Sequence, residues 1–478
     1  MSNFRVSERS LSRWFQQADS RVLAGMIAFS GLILFLCSSI RHFVYQSTAW
    51  DLGIFDQATY LISQGKPPIS SLMGFHILGD HAAVIFYLLA GLYKIYPEVH
   101  WLFIVQTIAL SIAALPLWYL SRLASLSDKQ AIAVAAAYLL YPLIFNVNLF
   151  DFHPDVIAVP GLLGAVLAAR LNKIIWFCLA IALVLICKAP LGLTVAAMGI
   201  WLLIFEKKRG AGAIALVSGI SWFLIATQLI IPAFSAGAAP VERHLGRYSY
   251  LGHTFPEVAT NILFKPWLLL GGLFTLDNLE YLLLLFLPVV WGLAWQTLTP
   301  LIGAIPTLAI NLLSTVQGQK DVIHQYSLPI LPFLFLAVIA TLSHRKGLVQ
   351  SRRGIILWSL VGFLLLSKVG YFAIRYVKVL DTWQATRSAV SLVASGNVLT
   401  TAWIAPHLTH RPTINLAIAG TEAISFDQFD EVLLNVRHPG WASNSSLQQG
   451  LVNRLQRDPQ FKLLIQQDGV YLFTRAGA

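Results

Sequence analysis

Trp50-Asp51-Leu52-Gly53-Ile54-Phe55-Asp56-Gln57-Ala58-Thr59-Tyr60 lies ten residues beyond an apolar run at 22–40. His76, Asp80 and His81 follow within the same connection, and Asp151, His153 and Asp155 form a second such group. The whole chain is 57% hydrophobic and 12% charged, with a mean hydropathy of +0.68. Acidic and histidine side chains are costly beside a bilayer, so their concentration here marks a site. Reading the stretch as the start of an outer loop, directly after a first membrane helix, fixes the architecture of the rest.

Outward from that loop the chain is a succession of apolar runs, near 22–40, 82–97, 99–120, 130–149, 154–171, 174–188, 190–205, 211–233, 263–276, 279–297, 300–316, 326–343 and 354–374. A helix needs about 20 residues to cross a hydrocarbon core of about 30 Å. Arg5, Arg9, Arg13 and Arg21 precede the first run without a small-residue cleavage site, which predicts a retained signal-anchor helix. Arg122 with Lys129, Arg170 with Lys173, Lys207-Lys208-Arg209, Arg345-Lys346 and Arg352-Arg353 should lie on the same inner side. That requirement leaves 82–97 and 263–276 at the outer surface as juxtamembrane or interfacial helices.

The expected fold is an all-α polytopic bundle of about eleven spanning helices, with the N-terminus cytoplasmic and the C-terminus outside. Residues 1–21 form a cytoplasmic segment, 22–378 the membrane domain and 379–478 a small extracytoplasmic α/β domain. In that last part the pattern predicts helix 383–395, strand 397–403, a break at Pro406 and Pro412, strand 430–436 and helix 444–457. Strands 461–466 and 469–474 complete it, turned at Asp468-Gly469. The net charge of +11 sits in short clusters between apolar runs, which excludes a nucleic-acid stripe. Cys37, Cys178 and Cys187 all lie in apolar runs, so neither a disulfide framework nor a thiolate metal site is expected.

With this topology the polar groups converge on one outer face, although only the basic clusters determined it. Asp51 and Asp56 are the candidate catalytic carboxylates, either of which could act as general base; on a helix they would sit about 140° apart, bordering a cleft from two sides. Thr48-Ala49-Trp50-Asp51 also fits a capping box, and Gly65-Lys66-Pro67-Pro68 ends the helix that follows. Asp80 is an N-cap candidate or, with His81, a substrate-binding pair. Pro154 suits the first position of a helix and Asp155 its first turn. Asp151, His153 and Asp155 are three oxygen or nitrogen donors within five residues, a weak pattern for Mg²⁺ or Mn²⁺. Lys188, Arg243 and Arg247 could hold a lipid phosphate. His324 and Tyr326 stand at the mouth of a later helix, where Tyr326 also reads as an interfacial anchor. The chain carries no nucleotide-phosphate loop, nucleophile elbow or zinc-protease motif.

Trp50-Asp51-Leu52-Gly53-Ile54-Phe55-Asp56-Gln57, Gly79-Asp80-His81 and Asp151-Phe152-His153-Pro154-Asp155 together resemble a family of polytopic membrane proteins, domain of unknown function 2079, over about residues 20–375. That family in turn looks like the GT-C glycosyltransferases, such as protein mannosyltransferases and aminoarabinose transferases. The resemblance implies sugar transfer from a polyprenyl-phosphate donor, with Asp51 at the position of the essential carboxylate. It also implies a plasma-membrane site facing outward and an extracytoplasmic acceptor. Cys187-Lys188-Ala189-Pro190 departs from relatives, which often carry an acidic residue after the lysine. The alternatives are a transporter or flippase, which would need polar groups near mid-bilayer and often internal repeats, and a non-catalytic assembly protein.

Overall fold

A computed structural model of the chain describes residues 18–238 and 244–476. It is mainly helical, with a small sheet domain at the C-terminal end. Six helices are long and apolar enough to cross a membrane, namely Ser20–Phe43, His100–Leu123, Asp128–Asn148, Arg209–Phe234, Gln325–Ser343 and Arg352–Leu392. Pro266–Leu273 and Leu276–Gly292, bent by 56° at their junction, make a seventh if they form one broken span.

The eleven expected crossings are therefore not all present as single long helices. Asp155–Arg170 has 16 residues, Ile174–Leu185 has 12 and Leu191–Ile204 has 14. At about 1.5 Å per residue each falls short of a full hydrocarbon core. Pro154 and Pro190 immediately precede two of them, and a proline that lacks its N–H belongs at a helix start. Ile85–Ile95, expected to stay at the surface, has only 11 residues. The basic N-terminal residues Arg5, Arg9 and Arg13 lie outside the described residues.

Two short helices, Leu191–Ile204 and Arg209–Ile225, pack with their backbones in contact. A Cβ on Gly219 would lie 2.4 Å from the Gly192 carbonyl oxygen, and one on Gly199 2.7 Å from that of Gly212. Small residues allow this approach, the usual device where helices meet without a hydrophobic drive between them. The pair forms one wall of the pocket described below.

The loop after the first spanning helix is built from short elements. After the first spanning helix, Ala49–Gly53 makes a π-helical turn that runs into the helix Ile54–Ser63. Gly65 then takes φ +70°, which ends that helix as its sequence predicts. Strands β1 (Ile69–Ser70) and β2 (Phe75–His76) form a two-stranded hairpin, and a single turn of helix, Leu78–His81, closes the loop.

The C-terminal sheet contains β3 (Val398–Thr400), β4 (Ile414–Leu416), β5 (Glu431–Asn435), β6 (Phe461–Gln467) and β7 (Val470–Arg475), in the order β4-β3-β5-β7-β6. β3 runs parallel to β4 and β5, while β7 is antiparallel to β5 and β6. Asp468 and Gly469, at φ 51° and 80°, make the tight β6–β7 turn expected from their identity. Asn444 caps the helix Ser445–Leu455 by accepting from the Leu447 N–H. Strand β4 was not foreseen, because it follows the Pro412 break and is only three residues long.

Candidate active site

Three neighbouring clusters take up the residues singled out in the sequence. The first is built around Asp51. Thr48 is extended (φ −106°, ψ 146°) and occupies the N-cap position, but the expected capping box does not close. The Thr48 N–H donates instead to Asp151 Oδ2 at 2.9 Å. Thr48 Oγ1 lies 3.1 Å from Asp51 Oδ2 and 3.0 Å from Asp151 Oδ2, so its one hydrogen is shared between two carboxylates. Asp151 is also held by Arg41 at 3.0 Å, with both side chains buried. Its φ of +145° is a conformation that L-residues seldom adopt, so this contact fixes a strained corner between two helices.

Asp51 Oδ1 is 3.1 Å from His153 Nε2. Burial raises the Asp51 pKa, but the hydrogen bond and charge of His153, then Thr48 and Arg41, outweigh it and leave the carboxyl below its usual range. Burial pushes Asp151 the other way, up to about 6, with Arg41 drawing it back and Asp51 adding to the rise. The Asp51 side chain is 25% exposed, against 1% for Asp151. It is thus the less enclosed of the two carboxylates, although it does not line the cavity described below.

The second cluster surrounds Asp56. Its side chain is 1% exposed and both oxygens are occupied from inside the protein. Tyr93 Oη donates to Oδ1 at 2.5 Å, Thr409 Oγ1 donates to Oδ2, and His410 Nε2 lies 3.3 Å from Oδ2. Tyr60 stacks on the His410 ring with 4.6 Å between centroids. Beside it, Gln57 Nε2 donates to the carbonyls of Arg411 and Pro412, and its Oε1 accepts from Ser70 and Ser71. Asp56 and Gln57 therefore join the C-terminal domain to the loop after the first spanning helix, with the Asp56 oxygens held by Tyr93, Thr409 and His410. Thr409 and His410 were missed in the sequence, since nothing local links them to a residue some 350 positions earlier.

The third cluster lines a cavity of about 290 Å³. The turn Leu78–His81 brings in Asp80 and His81, the first turn of Asp155–Arg170 brings Asp155, and the segment after Ile174–Leu185 brings Lys188. Arg247 and Tyr326 face them. Lys188 Nζ is 3.3 Å from Asp155 Oδ2, both buried, and 5.6 Å from the Tyr326 ring centre. The Arg247 guanidinium lies 5.7 Å from the same ring and 3.5 Å from its hydroxyl. Lys188 is thus no snorkelling surface residue. The Ala189 N–H donates to the His81 carbonyl at 2.9 Å, which ties the two walls together. Asp80 and Asp155 are the carboxylates among the residues lining this pocket. Leu191, Leu193, Phe223 and Ile231 give it a largely apolar surface, interrupted by polar groups such as Thr194 and Asn311.

Several expected members fall elsewhere. Asp80 does not cap the helix Ile85–Ile95, whose N-cap is Val84; Ala82, in the left-handed region, separates the two helices. His324 is bonded to Asp321 at 2.6 Å and sits edge-on to Phe150, and it does not line the cavity. Arg243 lies outside the described residues. Asp151 and Asp155 do not converge on one ligand set, since Arg41 and Thr48 take the first and Lys188 the second. Among the described residues, Asp80, His81 and His244 are the group whose donor atoms all lie within 4.8 Å of one another. Asp80 Oδ2 is 3.1 Å from His81 Nε2, and Oδ1 is 3.6 Å from His244 Nε2. Two imidazoles and one carboxylate suit a nitrogen-preferring ion such as Zn²⁺ better than Mg²⁺ or Mn²⁺, which favour all-oxygen sets.

In comparisons with known proteins, the chain matches structures of ArnT from Cupriavidus metallidurans. The form bound to undecaprenyl phosphate superposes with a TM-score of 0.56 at 10% identity, covering 97% of this chain and 99% of that one. The apo form gives 0.52 at 10% identity, with 96% and 98% covered. At this identity the likeness is one of fold. No curated protein matches. The model of a family described as predicted membrane protein (DUF2079) matches residues 41–472, nearly the whole chain, and the protein therefore belongs to that family.

Proposed function

We propose that this protein is a membrane glycosyltransferase that moves a sugar from a polyprenyl-phosphate donor to an extracytoplasmic acceptor, working at the outer face of a plasma membrane. The observation that carries the reading is the third cluster. One largely apolar cavity sets two cations and a phenol, Lys188, Arg247 and Tyr326, opposite Asp80 and Asp155. Cations in such a cavity suit a lipid-linked phosphate, and carboxylates suit sugar hydroxyls. The ArnT fold, in a form bound to undecaprenyl phosphate, supports the same reading.

In this reading Asp51 is the general base. Asp51 is the most exposed of the carboxylates at 25%, against 13% for Asp80, 5% for Asp155 and 1% for Asp56. His153, its partner, stands two residues before Asp155 in the cavity wall. Asp51 takes the proton from the acceptor hydroxyl. The acceptor oxygen attacks the anomeric carbon, the bond from that carbon to the donor phosphate oxygen breaks, and the lipid phosphate leaves with the electron pair. Lys188 and Arg247 stabilise the negative charge that develops there. Asp80 and His81 orient the sugar.

The test is transfer in proteoliposomes from a panel of polyprenyl-phosphate sugars. Wild type would be compared with Asp51→Asn and Lys188→Met. The expected pattern is turnover lost in Asp51→Asn with donor binding kept, and donor binding itself weakened in Lys188→Met. Undiminished transfer by Asp51→Asn would remove the assigned base.

A further inference from the structure

A second cavity, of about 470 Å³, lies behind the wall that carries Arg247 and Tyr248. The two cavities share this wall alternately: Tyr248 and Gln319 face the first, Tyr250 and Lys320 the second. Lys320 is 8% exposed, and among the described residues its ammonium makes no hydrogen bond or ion pair. Most of the Lys320 side chain is packed inside the protein, and its ammonium opens into this cavity, where a ligand can meet it. Asp277, from the first turn of the helix Leu276–Phe286, lines it as well, and so does the exposed indole of Trp267.

The mouth identifies the kind of ligand. The flanking helix Pro266–Leu273 has no buried residue, and it exposes Trp267 and Leu270 beside Leu263, Phe264 and Phe274. Such a surface belongs against lipid, with Trp at the headgroup level. A ligand entering there arrives with its acyl chains along that helix and its headgroup toward Lys320. One cation and one carboxylate lining the same cavity match a headgroup that carries both charges.

We propose that this cavity is a second lipid site, taking a zwitterionic phospholipid whose phosphate meets Lys320 and whose primary ammonium meets Asp277 and the face of Trp267. A cation over an indole face is favourable, most of all where water is excluded. Hydrogen bonds join the site to the wall of the first pocket, among them one from Ser314 to Gln319. Thr315, in the second cavity, donates both its N–H and its Oγ1 to the Arg247 carbonyl at 2.9 Å, while the Arg247 side chain lines the first. The proposal does not depend on glycosyl transfer, and its test needs no turnover.

The test is native mass spectrometry of the delipidated full-length protein. It would be titrated separately with phosphatidylethanolamine, phosphatidylglycerol and phosphatidylcholine. Phosphatidylethanolamine should be retained best. Lys320→Met should lower its retention about tenfold, the size of one lost charge-assisted contact. Asp277→Asn should narrow the preference over phosphatidylglycerol. Should Lys320→Met fail to fold, Trp267→Ala at an exposed position serves instead and should weaken phosphatidylethanolamine more than phosphatidylglycerol. Equal retention by wild type and variant, or phosphatidylglycerol bound as well as phosphatidylethanolamine, would overturn the proposal. Displacement by millimolar inorganic phosphate would also overturn it, since the site would then read a soluble anion.

Discussion

Asp51 and Asp56 stand five residues apart in one motif, yet their surroundings differ, and Asp56→Asn tests whether Asp56 serves the docking of the C-terminal domain. Asparagine keeps the shape and one acceptor oxygen, but it loses the charge that strengthens the bonds from Tyr93, Thr409 and His410. Hydrogen bonds to a charged group contribute about 1.5–3 kcal/mol each, and the partly exposed His410 recovers water when released. The expected loss is about 2–4 kcal/mol of domain docking, dominated by the two buried hydroxyl bonds. Asp56 raises the His410 pKa by its charge and hydrogen bond, against the lowering effect of burial. A histidine with a raised folded pKa adds stability that is complete below its unfolded value of about 6.5. That stability is lost as pH rises through the higher folded value. Thermal unfolding and limited proteolysis of the C-terminal domain, followed from below pH 6.5 upward, should show docking weaken in wild type. In Asp56→Asn the docking should already be weaker, with a shallower response to pH. Transfer measured well below the unfolding temperature should survive. Abolished transfer, together with unchanged unfolding and an unchanged proteolysis pattern, would refute the docking role and return Asp56 to the chemistry.

Gly219→Leu should drive the helices Leu191–Ile204 and Arg209–Ile225 apart, because even a Cβ meets the Gly192 carbonyl oxygen at 2.4 Å; a loss of about 1–3 kcal/mol or more in thermal stability is expected, with the first cavity deformed. Zinc titrated calorimetrically into chelator-treated protein should bind with release of protons and should fail to bind His81→Ala, while Asp151→Asn should bind as wild type does. Magnesium giving the stronger heat would contradict the ligand assignment. Arg41→Met should destabilise the protein by about 3–5 kcal/mol, because it leaves Asp151 buried against Asp51 without its cation; a change within a few tenths in chemical unfolding would argue that Asp151 is already neutral.

What the sequence showed and what it hid follow from the range of the interactions concerned. Caps, turns and strand alternation are local, so the Gly65 helix end, the Asp468-Gly469 hairpin and the Asn444-capped helix were legible residue by residue. The gathering of Asp80, Asp155, Lys188, Arg247 and Tyr326 was legible for a different reason. Basic clusters fix which loops share a side, and loops that share a side can meet. That argument sorts residues by side only and cannot tell which of two carboxylates turns inward. Asp56 is spent on Thr409 and His410, Asp151 on Arg41, and His324 on Asp321; the first two pairings span more than a hundred residues of chain. The number of full spans was not legible, because hydropathy and run length do not locate a helix's ends. Pro154 and Pro190 stand at the starts of Asp155–Arg170 and Leu191–Ile204, which have 16 and 14 residues. Asp155 and Lys188 lie beside those starts and pair with only 5% and 9% of their side chains exposed. The prolines that set where these helices begin therefore also set a charged pair in the cavity wall.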